Sequence, residues 1–136
     1  DNALPMSDEV GKTLKEENEM FQFTVSSTIR GDAAIRYEIA AIKKDTSTLS
    51  DDMVKLYLER SSDGVNYLES MAPTEFTPIS EQSSLGSPAG SMIIESGTFT
   101  QTQTNHYILR MWLKEEVTLP NIPQQYAVTV SVYGGI

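Results

Sequence analysis

His106 is the only imidazole in the chain, and cysteine is absent. Thiolate catalysis, cysteine metal centres and a disulfide scaffold are excluded at once. A serine–histidine–acid arrangement is assembled in space, but the strand-to-helix elbow G-x-S-x-G that often carries such a serine does not occur. His106 follows Gln101-Thr-Gln-Thr-Asn105 and reads as a polar turn residue before an extended segment. Zinc would have to draw on carboxylates and one histidine, an unusual set. Calcium needs several converging oxygens, and Asp45, Asp51 and Asp52 share a loop, but their spacing fits no calcium loop and predicts a solvated acidic surface. With 19 acidic residues, some pair can always be matched to a glycosidase geometry, so no pair is assigned. Ser84-Leu-Gly-Ser-Pro-Ala-Gly90 has the glycines of a phosphate loop, yet Pro88 removes a donor and no helix follows. Arg30-Gly31-Asp32 spells an adhesion tripeptide, and Gly-Asp is also ordinary turn chemistry. No catalytic, metal or cofactor residue is assigned, no cofactor is expected, and the chain reads as a non-enzyme.

The residues left are those suited to contact. In Tyr107-Ile-Leu-Arg-Met-Trp-Leu-Lys114, an extended chain puts Tyr107, Leu109, Met111 and Leu113 on one apolar face. Ile108, Arg110, Trp112 and Lys114 fall on the other. Arg110 and Trp112 are same-face neighbours, and guanidinium stacking on indole is physically reasonable. That face is either covered by a loop, with the proline-bearing Leu119–Gln124 stretch as one candidate, or it meets another subunit, where Trp, Tyr and Arg are enriched.

These side chains need strands to hold them, and period-two alternation runs through the chain. Phe21-Gln-Phe-Thr-Val25, Ile35–Ile39, Val54–Arg60 and Tyr126–Tyr133 alternate apolar with polar and are rich in β-branched and aromatic residues. Weaker strand candidates are Tyr67–Met71, Glu75–Ile79, Met92–Ile94 and Gly97–Gln101. Asp63-Gly64 suits a hairpin turn, and Ser50 suits the cap of one helical turn. Ser83–Ser91 reads as a flexible surface loop. Seven or eight short strands with turn-rich connections predict an all-β fold, a single antiparallel β-sandwich of immunoglobulin-like or jelly-roll-like type. Residues 1–20 read as an N-terminal extension and 21–136 as the sandwich, with Leu4 and Met6 alternating as a candidate donor strand.

The length of 136 residues suits one core. Nineteen acids against ten bases give a net charge of −9, which disfavours a phosphate backbone and excludes nucleic acid as the expected partner. No apolar run approaches the roughly 18 residues of a membrane-spanning helix. The chain starts at Asp1 and not at Met, so an upstream segment, with room for a signal peptide or anchor, is expected to have been removed or left out.

Leu4-Pro-Met-Ser-Asp-Glu-Val-Gly11, Phe21-Gln-Phe-Thr-Val25, Ile35-Arg-Tyr-Glu-Ile39 and Tyr107-Ile-Leu-Arg-Met-Trp-Leu113, in that order, resemble the TasA- and camelysin-like exported β-sandwich proteins of bacterial surfaces. The resemblance implies an extracellular or cell-surface location and a matrix-fibre subunit joined to its neighbours by strand exchange. This chain is shorter than the fibre-forming members, and the strand expected before Phe21 is not evident, which shifts the donor role to Leu4 and Met6. The partner is then the chain itself, with Leu4, Met6, Arg110, Trp112 and Tyr133 as interface candidates. A virion decoration or tail protein is the alternative. A carbohydrate-binding module, stacking sugars on Trp112, Tyr57 and Tyr133, is the third reading.

Overall fold

Alternation over short segments gives seven strands and almost no helix. The computed structural model describes residues 4–16, 19–119, 122 and 124–135. The strands are β1 (Met20–Ser27), β2 (Ile35–Lys43), β3 (Val54–Ser61), β4 (Leu68–Glu75), β5 (Met92–Phe99), β6 (Gln103–Leu113) and β7 (Val128–Gly135). They form an antiparallel four-stranded sheet in the order β1-β6-β3-β4 and an antiparallel three-stranded sheet in the order β5-β2-β7. Only β3 and β4 are hairpin neighbours within a sheet. Every other connection crosses between sheets, which is the antiparallel β-sandwich that the strand pattern predicts.

The core lies between the sheets and is built from alternate residues of the central strands. Tyr37, Ile39 and Ala41 come from β2, Val54, Leu56 and Leu58 from β3, and Tyr107, Leu109 and Leu113 from β6. The β3–β4 turn has Gly64 at φ +77°, a conformation that glycine adopts without a Cβ penalty. The Asp63 carboxylate accepts the N–H groups of Val65 and Asn66, both at 2.9 Å. These bonds, joined by one from the Ser61 hydroxyl, hold the Asp63 carboxyl well below the usual carboxylate range.

Some boundaries differ from the sequence expectation. Met92–Ile94 and the first part of Gly97–Gln101, as far as Phe99, belong to one strand, β5, joined through a bulge. Ile39 pairs with Glu95 and Ala40 with Ile93, so Ile94 is the extra residue. Met92 and Ile94 face the core before the bulge, and Phe99 faces it afterwards. Alternation therefore changes phase inside the strand, which is why it reads as two. Glu75–Ile79 is not a strand of its own, because β4 ends at Glu75. His106 is not in a turn: it lies within β6, paired with Thr24 and Ser61. Its polar neighbours Thr104 and Asn105 conceal a strand that begins earlier than its apolar residues do. The helical turn after Ser50 is a 3-10 turn, Asp51–Met53, and the Ser50 hydroxyl donates to the Asp52 carboxylate at 2.6 Å instead of capping a backbone N–H. Leu119–Gln124 lies partly outside the described residues. No helix among those described is long and apolar enough to cross a membrane.

Candidate functional site

Two segments outside the strands cover the outer faces of the two sheets. On the four-stranded sheet the cover is the N-terminal arm. Pro5 forms a parallel bridge with Leu113, the Leu113 N–H donates to the Leu4 carbonyl at 3.2 Å, and the Met6 N–H donates to the Leu113 carbonyl at 3.1 Å. β1 pairs with β6 only as far as Arg110, so the arm occupies the stretch of β6 edge that β1 leaves open. The chain then makes one helical turn, α1 (Asp8–Gly11), whose start is capped by the Ser7 side chain accepting from the Val10 N–H at 3.3 Å.

That turn sets Gly11 on the Trp112 ring. A Cβ at position 11 would stand 2.2 Å from an indole carbon, so only glycine allows this approach. Trp112 is 0% exposed, and its Nε1–H donates to Asp8 Oδ1 at 3.3 Å. Lys55 Nζ donates to Asp8 Oδ2 at 3.2 Å. Buried Arg110 donates through Nε to the Leu14 carbonyl and through Nη1 to Glu59 Oε1, each at 2.6 Å. Lys12 Nζ lies 5.7 Å from the centre of the Tyr57 ring and 3.9 Å from Glu69. Tyr57 is itself buried, and its hydroxyl, which donates to Glu59, is held above the usual phenol range by burial and by the Glu59 carboxylate.

The sequence candidates thus separate. Leu4, Met6, Arg110 and Trp112 come together where the arm meets β6. Tyr133 lies on the other sheet, partly buried beside Gly86. The arm lies over the Arg110–Trp112 face, and in this structure it belongs to the same chain. Trp112 and Tyr57 present no free ring face for stacking a sugar. Asp8, Gly11 and Leu14 were missed as parts of this site, because four helical residues show no period. Lys55 and Glu59 were legible as the outward set of an alternating strand, although their partners were not.

The outer face of the three-stranded sheet is closed by the loop between β4 and β5. Glu38 points outward from β2 and is nevertheless buried, and its carboxylate accepts from the hydroxyls of Ser83 and Ser87. Burial pushes the Glu38 carboxyl up, but the bonds from Ser83 and Ser87, with Arg36 nearby, outweigh this and leave it below its ordinary value. The Ser83 hydroxyl also accepts the Ser87 N–H at 2.9 Å. The expected flexible loop is pinned to the sheet at a buried carboxylate.

A second carboxylate ties the sheets together from within. Beyond the β5 bulge, Glu95 accepts from the Tyr107 hydroxyl at 2.6 Å, the Tyr37 hydroxyl at 3.2 Å, Arg60 Nη1 at 3.1 Å and the Ser70 hydroxyl. Burial, then the bonds to Glu95 and Tyr37, holds the Tyr107 phenol well above its usual range. Both carboxylates are buried and engaged by donors, four groups converging on Glu95 and two hydroxyls on Glu38 Oε2. No family model matches the chain, and no curated protein or solved structure matches it.

Proposed function

We propose that this chain is a non-enzymatic structural subunit of an extracellular or cell-surface filament, in which the N-terminal arm of one copy docks on the four-stranded sheet of the next. The observation that carries the reading is the arm itself. It is a short segment with its own docking place on β6, held by two main-chain hydrogen bonds and by side chains around Trp112. Main-chain pairing is indifferent to which copy supplies the strand. An arm from a neighbour makes the same bonds, so exchange between copies costs little beyond association itself. Head-to-tail exchange that does not close generates an open fibre.

Negative-stain electron microscopy of the full chain, with and without an excess of free peptide covering residues 1–16, tests the reading. Filaments that shorten or vanish when peptide fills the docking place are expected. Single particles under all conditions, or filaments indifferent to the peptide, contradict it.

A further inference from the structure

Each sheet ends in two edges, and the four edges are not alike. β4 lies beside β5, so β1 and β7 form the opposite flank of the sandwich. On the first flank both edges carry features that discourage pairing with another chain. β4 (Leu68-Glu-Ser-Met-Ala-Pro-Thr-Glu75) has Pro73, Glu69 and Glu75, while β5 has its bulge at Ile94 and a glycine at 97. Proline, charge and bulges are the usual protections of a free edge.

The strands of the other flank have no proline, charge or bulge. β1 (Met20-Phe-Gln-Phe-Thr-Val-Ser-Ser27) and β7 (Val128-Thr-Val-Ser-Val-Tyr-Gly-Gly135) contain no charged residue and no proline. Among the described residues, β1 pairs only with β6 and β7 only with β2, so each has a free edge. Large apolar side chains lie open along this flank: Phe21 is 52% exposed and Val132 44%. Phe21 stacks on Phe23, and Phe23 on Tyr107, which continues the core outward to the surface.

We infer that the β1/β7 flank is a second contact surface, and that its occupant is the same flank of another copy of this chain. The inference rests on the reading that the chain self-associates, but it uses a different surface from the arm. Charge selects the occupant. A chain of net charge −9 repels its own copies over most orientations, and two uncharged strands are where like copies approach without facing like charges. A basic partner would be drawn to the acidic surface elsewhere. Pairing about a two-fold axis normal to the sheets sets β1 antiparallel to β1 and β7 antiparallel to β7, extending both sheets at once.

Size sets the strength. Eight residues at about 3.3 Å each, with sheets about 10 Å apart, give a strip of roughly 260 Å² per copy. This is about a third of a standard interface, so the contact is weak alone and adds to arm exchange in a fibre.

Sedimentation velocity on the full chain up to about 1 mM, the weak end of specific association, tests this with excess 1–16 peptide present to suppress arm exchange. Reversible dimers are expected. Thr24→Lys and Val132→Lys, both at exposed positions, should weaken dimerisation about tenfold or more by setting like charges opposite each other. Leu68→Lys, at a 77% exposed position on β4, should leave it unchanged. Amide exchange on the unmodified chain provides a check independent of variant folding: β1 and β7 should gain protection with concentration while β4 does not. Monomers throughout, or equal effects of all three lysines, overturn the inference. Loss of dimers here still leaves filaments that the peptide dissolves, and loss of those filaments leaves these dimers, so the two contacts fail separately.

Discussion

Gly11 lacks a side chain at the one place where Trp112 needs the backbone against its ring. Gly11→Val should force the arm off the indole, at a cost of about 1–3 kcal/mol for overpacking. A red shift in the emission of Trp112, the only tryptophan, would accompany the loss in a denaturant titration, and an unshifted spectrum would mean that the arm does not cover the ring. Tyr107 acts at the same scale. Its phenol is held above its usual range, so above about pH 10 the unfolded chain ionises at this residue while the folded one does not. Stability is therefore lost as pH rises past that value, and Tyr107→Phe should show a shallower alkaline loss in thermal melts. The same variant should be about 1–2 kcal/mol less stable at neutral pH, because Glu95 loses a donor.

At the scale of elements, the loop between β4 and β5 owes its place to Glu38. The folded Glu38 carboxyl lies below its ordinary value, so ionised Glu38 contributes stability above the ordinary carboxylate range and loses it as pH falls through the lowered value. The difference between the wild-type chain and Glu38→Gln should thus be full at neutral pH and shrink below about pH 4, when followed by urea titration at several pH values. Faster amide exchange across residues 80–91 in the variant would trace the loss to the loop, and unchanged exchange would show that the latch lies elsewhere. The strands themselves were legible, because alternation in β1, β2, β3 and β6 reports a buried face directly. β5 reads as two strands, since a bulge reverses the alternation and no residue type announces one. The arm and the loop were legible only as segments without period. What they cover depends on tertiary packing: Asp8 meets Lys55 across 47 positions, and Ser87 meets Glu38 across 49.

For the whole molecule, the outer faces are covered over the central strands, and among the described residues one flank has no cover. The arm carries the main proposal, because its contacts are those that a second copy could supply. Arg110 and Trp112 stood out in the sequence as interface residues, and the structure places them beneath the arm. They are buried whichever copy the arm comes from. Arg110→Ala should cost about 3 kcal/mol, since in a partly buried site it leaves the Leu14 carbonyl without its side-chain donor and the Glu59 carboxylate without its cation, held only by the Tyr57 hydroxyl. It should also abolish arm-dependent assembly in electron micrographs while circular dichroism remains β-like. Assemblies of normal length from this variant would place the subunit contact elsewhere.

The most direct test asks which copy supplies the arm. Asp8 and Lys55 form an ion pair at 3.2 Å, close enough for a carbodiimide to join them as an amide. Assemblies grown from an equal mixture of ordinary and heavy-nitrogen-labelled chains can be cross-linked in this way, digested and weighed by mass spectrometry. Exchange of arms predicts cross-linked peptides of mixed isotope, with about half of the Asp8–Lys55 links carrying one light and one heavy partner for random pairing of the two pools. Links confined to light–light and heavy–heavy pairs would show that every arm stays on its own chain, and would contradict assembly by strand exchange.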